Sequence, residues 1–161
     1  MTGQPVVVVG VDGSPASTAA LTWAVAHARD VGARVVAVSV CRVRPTPPSD
    51  DRQLTPADAF TALHQRELDQ AISVIDAGDV EIEARVPRGA AGPVLVAILT
   101  DADALVLGGH GYRRGKVSVI GPVIGHCLRH ARIPVVVVTA GGGGDGSPAR
   151  VGMPVSAQEF R

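Results

Sequence analysis

The residues Val6 to Val11 form an unbroken apolar run, rich in valine, that ends at the polar turn Asp12-Gly13-Ser14-Pro15. A strand of this composition has no polar face, so we expect it to be buried on both sides, as strands of parallel sheets are. Ser14 is a suitable N-cap and Pro15 suits a first helical position, which predicts a helix from there to about Val31. The chain therefore begins with a buried strand and a helix that covers it.

The rest of the chain repeats this alternation of strand and helix. Gly32 is expected to end the first helix, and the valine-rich segment Arg34 to Cys41 predicts a second buried strand. The alternating residues 80–86 predict a half-exposed edge strand. Further helices are expected over 57–77, over 93–100 and from Gly121-Pro122 onward, and further strands over 104–107 and 135–139. This pattern predicts an α/β fold, a doubly wound, open five-stranded parallel sheet of Rossmann-like type with four helices and strand order 3-2-1-4-5.

Composition excludes several classes of partner. Fifteen Lys and Arg residues balance fifteen Asp and Glu residues, so no excess positive charge attracts nucleic acid or an anionic membrane. The chain has too few aromatic residues to stack on nucleic acid bases, and its N-terminus has no basic flank typical of an export signal. We expect a cytoplasmic protein with two buried, reduced thiols, Cys41 and Cys127, and with neither nucleic acid nor a membrane as its partner.

Residues 1–140 are expected to form a single domain. Residues 141–161 are rich in glycine and cannot bury enough surface to order themselves, which predicts a disordered tail. Four prolines between residues 42 and 56 predict an exposed connection before the second helix.

Three separated segments resemble the universal stress protein family. The first is Val8-Val9-Gly10-Val11-Asp12-Gly13-Ser14, and the third is residues 128–137. The second, Gly108-Gly109-His110-Gly111 followed by nine residues and Gly121, is similar to the family signature Gly-x2-Gly-x9-Gly-(Ser/Thr). The resemblance runs from about residue 5 to 139. It implies that the protein binds an adenine nucleotide (ATP, ADP, AMP or cyclic AMP), which Mg²⁺ could accompany, in a regulatory response to stress.

The resemblance also implies which residues bind the nucleotide. In nucleotide-binding members, an aspartate at the position of Asp12 contacts the ribose hydroxyls, and a residue at the position of Val40 lines the adenine recess. The glycines of the loop lie against the phosphates, since glycine lets backbone N–H groups approach an anion closely. The candidate binding residues are Gly10, Val11, Asp12, Val40, Gly108, His110, Gly111, Gly121, Pro122 and Val123.

Pro122 departs from the family signature, because it stands where the family has Ser or Thr. Proline offers a phosphate neither a hydroxyl nor an N–H group. Losing one hydrogen bond to a charged group costs ~1.5–3 kcal/mol, or roughly ten- to a hundredfold in affinity. The N–H groups of Val123 and Ile124 still begin a helix there, so we expect weakened binding. The alternative is a dimeric interaction protein of the same fold that binds no nucleotide.

Several residues have a second interpretation. Asp12 could simply cap the turn before the first helix, although its place at a strand end favours ribose contact. His110 could face a phosphate or be an exposed loop residue. A cluster of cations, here Arg113, Arg114 and Lys116, more often lies on a solvent-exposed surface than binds a ligand. His126 and His130, four residues apart on a helix, are interpreted as a packed or surface pair, and no structural metal is expected.

Catalytic motifs do not match the chain. Residues 110–117 differ from a P-loop, because His110 stands where its first glycine must be and Val117 replaces its final Ser or Thr, and no Gly-x-Ser-x-Gly elbow occurs. We therefore expect no enzyme, and at most weak ATP hydrolysis. Family members usually pair through the last strand, so the resemblance also implies a homodimer.

Overall fold

The computed structural model describes residues 3–42, 56–109, 112–114, 117–119 and 121–139. The strands in this part of the chain are β1 Val6–Gly10, β2 Arg34–Val38, β3 Ile82–Arg85, β4 Ala104–Gly109, β5 Tyr112–Arg114, β6 Val117–Val119 and β7 Val135–Thr139. The helices are α1 Pro15–Val31, α2 Pro56–Ser73, α3 Ala91–Ile98 and α4 Pro122–His130, with a 3-10 turn at Leu99–Asp101.

The main sheet has five parallel strands in the order β3-β2-β1-β4-β7. This arrangement confirms the predicted architecture and strand order, with β7 as the fifth strand of the sheet. β1 lies at the centre, where Val8 is opposite Val36 of β2 and Leu105 of β4. The strand order reverses beside β1, because the chain runs outward to β2 and β3 and then returns to the other side of β1 as β4.

The central strand is buried on both faces, as its composition predicts. Val7 and Val9 belong to one core, in which Leu21 of α1 and Leu68 of α2 are also buried. Val8 faces the opposite core, which contains buried residues of α3 and α4. Adjacent residues of a strand face opposite sides, so a run of valines supplies both cores.

Helix α1 begins and ends where its capping residues predict. The Ser14 hydroxyl oxygen accepts a hydrogen bond from the Ser17 N–H at 3.1 Å, which caps the first turn. Gly32 adopts a left-handed conformation with φ +70° and its N–H donates to the Ala28 carbonyl. Glycine adopts this conformation without the strain that a side chain would cause.

Both cysteines are buried and reduced, as predicted. Desolvation raises the pKa of the Cys127 thiol to about 11. The thiolate is the reactive form of cysteine, so this residue acts as a small core side chain.

The second strand and the second helix are shorter than predicted. β2 ends at Val38, and Cys41 forms only an isolated bridge with Arg88. Val40 therefore lies two residues beyond the strand instead of ending it. α2 ends at Ser73, because the next segment tightens into a turn in which the Ile75 N–H donates to the Ile72 carbonyl.

The apolar spacing of two helices predicts their buried faces incompletely. The apolar spacing of α4 predicts an inner face of Val123, Cys127, Leu128 and Ala131. Cys127 is buried, as is Ile124, whereas Leu128 is 38% exposed. In α2, Phe60 and Leu63 continue the helical spacing but are 56% and 43% exposed. Which side of a helix is buried depends on its neighbours in the fold, and these are not visible in its own sequence.

The loop after β4 contains a hairpin that the sequence does not predict. β5 and β6 pair antiparallel, with Tyr112 opposite Val119 and Arg114 opposite Val117. Strands of three residues are too short for an alternating pattern to be distinguished from chance.

Most of the proline-rich connection, residues 43–55, and the glycine-rich tail, residues 141–161, lie outside the described residues. The boundary predicted between domain and tail stays a prediction. None of the helices in the described ranges combines the length and the apolar character that crossing a bilayer requires.

At Gly108, the backbone of β4 lies close against the backbone of α1. A Cβ atom placed at Gly108 would lie 2.4 Å from the Ala16 carbonyl carbon and 2.5 Å from the Ser17 nitrogen. Both are backbone atoms of the first turn of α1, so relief of the clash requires the helix to shift. The Gly108→Ala variant is expected to lose ~1–3 kcal/mol of unfolding free energy, measured as a fall in Tm of about 2–4 °C per kcal/mol.

The matched control is Gly121→Ala, because a Cβ at Gly121 meets no atom of the described residues within 4 Å and its φ of −61° suits any residue. Its Tm without ligand should equal that of the parent. Equal melting temperatures for the Gly108→Ala variant and the parent would contradict the packing role of Gly108.

Candidate functional site

A cavity of about 230 Å³ opens at the carboxyl edge of the sheet. It lies beyond the ends of β1, β2 and β4, between the first turns of α1, α3 and α4. Ligands of doubly wound sheets bind in this crevice, where the strand order reverses. The cavity is lined by Gly10, Val11, Asp12, Ser17, Val38, Val40, Ala91, Leu95, Leu107, Gly108, Gly121, Pro122, Val123 and Ile124.

Eight of the ten candidate binding residues border this one cavity. They are Gly10, Val11, Asp12, Val40, Gly108, Gly121, Pro122 and Val123. The other two, His110 and Gly111, lie outside the described residues. The structure thus brings together the ends of three segments that are far apart in the sequence.

Six further lining residues are not among the ten candidates, although the sequence had indicated the N–H of the last one: Ser17, Val38, Ala91, Leu95, Leu107 and Ile124. Five of them are apolar, and in a sequence an apolar cavity wall looks like any other buried residue. Besides Ile124, only Val38 could have been placed at the cavity from the sequence. It lies two residues before Val40, and residues two apart in an extended chain face the same side.

The Asp12 carboxylate lies exposed at the rim of the cavity. Its Oδ1 accepts a hydrogen bond from the Ser14 N–H at 2.9 Å, so Asp12 does brace the turn before α1. Gly13 between them has φ +81°, a conformation that favours glycine. The turn therefore holds the carboxylate in a fixed place.

The inner wall of the cavity is apolar and rigid. Val38, Leu95 and Leu107 are each at least 96% buried, and they belong to the core between the sheet and helices α3 and α4. Such a wall suits a flat or apolar group.

The backbone after β2 directs polar groups toward the cavity. The N–H groups of Ser39 and Cys41 donate to the Arg85 and Pro87 carbonyls, on the β3 side. Successive residues of an extended chain point to opposite sides, so the N–H and C=O groups of Val40 point away from β3. The end of β1, which borders the same cavity as Val40, lies on this side of β2.

Helix α4 begins at the cavity with few backbone donors. Gly121 is its N-cap and makes no side-chain capping bond, and Pro122 has no N–H group. The Gly125 N–H donates to the Gly121 carbonyl at 2.9 Å. In the first turn this leaves the amides of Val123 and Ile124, which have no acceptor within the helix.

The glycines of the cavity differ in whether packing requires them. Gly108 packs against the backbone of α1, and a Cβ at Gly10 would lie 2.7 Å from Leu107 Cδ2. Gly121 has an ordinary φ of −61° and open space where its Cβ would be. The fold thus demands glycine at Gly108, whereas at Gly121 it leaves empty space beside the cavity.

Charged clusters in the described ranges lie elsewhere. Glu83 accepts from Arg85 at 2.7 Å and pairs with Arg34 at 3.0 Å, on β3 and β2. The hydrogen bond from Arg85 is the main reason that the pKa of Glu83 is lowered. The rings of His126 and His130 are in contact, with centroids 4.4 Å apart. No group of three potential metal ligands occurs among the residues that the structure describes.

The fold and the cavity define an α/β protein with a ligand crevice at the reversal of its strand order. The sequence profile described as "Universal stress protein family" matches residues 5–139. The chain belongs to the universal stress protein family, which confirms the resemblance found in its motifs.

Relatives and solved structures agree with this assignment. Over 143 residues the chain is 36% identical to universal stress protein Rv2624c of Mycobacterium tuberculosis, covering 84% of this chain and 50% of that protein. The chain spans about half the length of the curated relatives it matches. A family protein from Burkholderia pseudomallei has a TM-score of 0.64 at 28% identity, covering 84% of this chain and 96% of its own. A universal stress protein in complex with cAMP has a TM-score of 0.59 at 25% identity, covering 84% and 97%.

Proposed function

We propose that this protein binds an adenine nucleotide in the cavity and uses it as a regulatory ligand. The proposal rests on three features that meet in one crevice. They are the Asp12 carboxylate, which can accept from ribose hydroxyls, the apolar wall, and the backbone amides of Val123 and Ile124. The structural relative in complex with cAMP supports a nucleotide of this class. The proposed site keeps all ten candidate residues, including His110 and Gly111.

Adenine fits the inner end of the cavity. The apolar wall suits the flat faces of a base, and the C=O and N–H of Val40 can pair with the base edge. Adenine presents its amino group as a donor beside its N1 acceptor, which matches one carbonyl and one N–H on the same residue.

The ribose is proposed to lie against Asp12. A carboxylate has about four acceptor sites, so bracing the turn at Ser14 and accepting from ribose hydroxyls are compatible. The phosphate is then directed toward Gly121 and the amides of Val123 and Ile124, where the helix dipole favours an anion.

We propose binding without catalysis. Among the described cavity residues, only Asp12 carries a side chain able to act as a general base, and its Oδ1 already accepts from the Ser14 N–H. Hydrolysis of ATP requires a group positioned to activate water. Phosphate release from ATP at a rate lost in the Asp12→Asn variant would contradict this part of the proposal.

A second candidate function is an interaction protein of the same fold that binds no nucleotide. The observation that favours it is Pro122, which removes a hydroxyl and an N–H from the expected phosphate contact. The variants below distinguish the two candidates.

The Gly121→Ala variant tests where the phosphate lies. A Cβ at this position clashes with no atom of the described residues, so we expect the loss to affect the ligand. We expect an unchanged Tm without ligand and an affinity for AMP about tenfold lower, measured by calorimetric titration.

The matched control for Gly121→Ala is Gly3→Ala, whose added Cβ also meets nothing within 4 Å. It should bind AMP as the parent does. Equal affinities of the Gly121→Ala variant and the parent for AMP would show that the phosphate does not lie at the start of α4.

Pro122 lacks an N–H group and a hydroxyl, and two substitutions test the contribution of each group to binding. Pro122→Ala restores only the N–H group, whereas Pro122→Ser restores the N–H and the hydroxyl. We expect Pro122→Ser to bind ATP about tenfold or more tightly than the parent, and Pro122→Ala to lie between them.

Differential scanning fluorimetry with and without nucleotide gives a second measurement of the same series. A ligand that binds only the folded state raises Tm. If nucleotides raise the Tm of neither the parent nor either variant, the non-binding interaction protein is the correct function.

We also propose that the protein is a homodimer paired through β7. In the described part of the chain β7 pairs with β4 on one side and is the last strand of the sheet on the other. An apolar edge strand presents backbone donors and acceptors to a second strand. The Leu105 N–H donates to the Pro134 carbonyl, which sets the alternation of β7 and directs the backbone groups of Val135 and Val137 outward.

Val137→Pro tests this dimer. Proline is tolerated on an edge strand when its missing N–H faces outward, so the sheet within one chain keeps its hydrogen bonds. Light scattering at micromolar concentration should give the mass of two chains for the parent and one chain for Val137→Pro. Val137→Thr keeps the N–H and the branched shape, so it should remain dimeric. A parent with the mass of one chain would contradict the dimer.

A further inference from the structure

We propose that His126 and His130 of α4 form a binding site for one divalent transition metal ion, such as Cu²⁺, Ni²⁺ or Zn²⁺. Neither histidine is among the described residues that line the nucleotide cavity, so this site is independent of the proposed function. Its support comes from the geometry of the pair, from what each ring contacts and from the charges nearby.

The two histidines lie one turn apart on the same face of α4. Residues four apart in a helix have Cβ atoms about 5–6 Å from each other, and here the ring centroids are 4.4 Å apart with the ring planes inclined by 39°. Two imidazoles that share an ion, with metal–nitrogen bonds of about 2.0–2.1 Å and an angle of about 90–109° at the metal, have centroids about 4.5–5.2 Å apart. The observed separation lies just below this range, so a small rotation of one ring suffices.

One ring of the pair is held in place and the other is free to adjust. His126 is half-buried, and its ring packs over Gly92 of α3, where an added Cβ would lie 2.9 Å from His126 Cγ and Cδ2. His130 is exposed and is the last residue of α4. Packing therefore positions the first ligand, and rotation of the exposed second ligand completes the pair.

The other histidines of the described ranges contact different groups. The His27 ring stacks on Trp23 with centroids 4.9 Å apart, and His64 Nδ1 lies 2.9 Å from the Phe60 carbonyl oxygen. In the described part of the chain, the contact between two imidazoles occurs on α4.

The ligands indicate the kind of ion. Imidazole nitrogen suits Cu²⁺, Ni²⁺ and Zn²⁺, whereas Mg²⁺ and Ca²⁺ prefer several oxygen ligands. Among the described residues no third His, Cys, Asp or Glu joins the pair, and the adjacent Cys127 is buried in the core. Water would complete the coordination, so we expect an exchangeable ion rather than a structural one.

Two arginines near the pair oppose a bound cation. Arg129 Nη1 lies 3.8 Å from the position of a Cβ at Gly125, one residue before His126, and Arg132 borders the same surface cavity as His130. Both arginines are exposed, so salt screens their repulsion. They lower the affinity, which favours ions that form strong bonds to nitrogen.

A bound ion would stabilise α4. This helix has nine residues, and its N-cap Gly121 makes no side-chain capping bond. Isolated helices shorter than ~12–15 residues are marginal in water. An ion shared by His126 and His130 links two successive turns of the helix, and an ion that binds the folded state raises Tm.

The experiment uses the full chain without an affinity tag, in a buffer that does not chelate metals. In calorimetric titrations we expect Cu²⁺ to bind more tightly than Ni²⁺ or Zn²⁺, since affinities at nitrogen sites follow this order. Ni²⁺ and Zn²⁺ should raise Tm, whereas Mg²⁺ should not. The electron paramagnetic resonance spectrum with one equivalent of Cu²⁺ should show coupling to imidazole nitrogen.

His130→Gln removes one ligand at an exposed position, so its Tm without metal should equal that of the parent. Loss of a residue that only supports a metal ligand typically costs about 10- to 100-fold in affinity. Loss of the ligand itself should therefore weaken Cu²⁺ binding about tenfold or more and abolish the rise in Tm. The matched control His64→Gln removes an imidazole elsewhere and should bind as the parent does, and Arg129→Gln should bind more tightly.

Two results would overturn the site. If His130→Gln binds each ion as tightly as the parent, the ion is held elsewhere in the chain. If the parent shows neither heat nor a rise in Tm with any of the three ions at about 0.1 mM, the pair binds no metal. Nucleotide binding is measured in separate titrations, so either result leaves the proposed function standing.

Discussion

The contact on which the rest of the structure depends is the approach of the first turn of α1 to Gly108 on β4. With no side chain at Gly108, the Ala16–Ser17 peptide lies directly against the strand. This approach places the turn from Asp12 to Ser14 beside the end of β4, so two loops distant in sequence border the same crevice. A bulkier residue at Gly108 would push the first turn of α1 away from β4 and widen the cavity between Asp12 and Gly108.

The sequence predicts those features that depend on local chemistry. The buried run of β1 predicts a parallel sheet, and Ser14 and Gly32 determine both ends of α1. The predictions that failed depend on neighbours far along the chain. Leu128 and Ile124 have similar hydrophobicity, and only the packing of α4 against α3 and β7 decides which of them is buried.

Sequence motifs predicted the residues at the rim of the candidate site, but they did not predict the apolar residues of its wall. Asp12 and Gly121 are recognisable because turns and glycine spacings are local patterns. Leu95 and Ala91 border the cavity because α3 packs over the sheet, and their own sequence resembles any short apolar helix. The hairpin of β5 and β6 was not predicted, because strands of three residues are too short to repeat the two-residue alternation that identifies a strand.

A glycine signature combines requirements of different kinds. Gly108 is required by the packing of two elements of the fold, so it would be retained even if the crevice bound nothing. Gly121 has an ordinary conformation, and a Cβ there would meet no atom of the described residues within 4 Å. Packing among the described residues therefore does not require glycine at Gly121, although Gly121 is the N-cap of α4. The two glycines of one signature thus differ in their structural role, and the proposed phosphate contact concerns Gly121 alone.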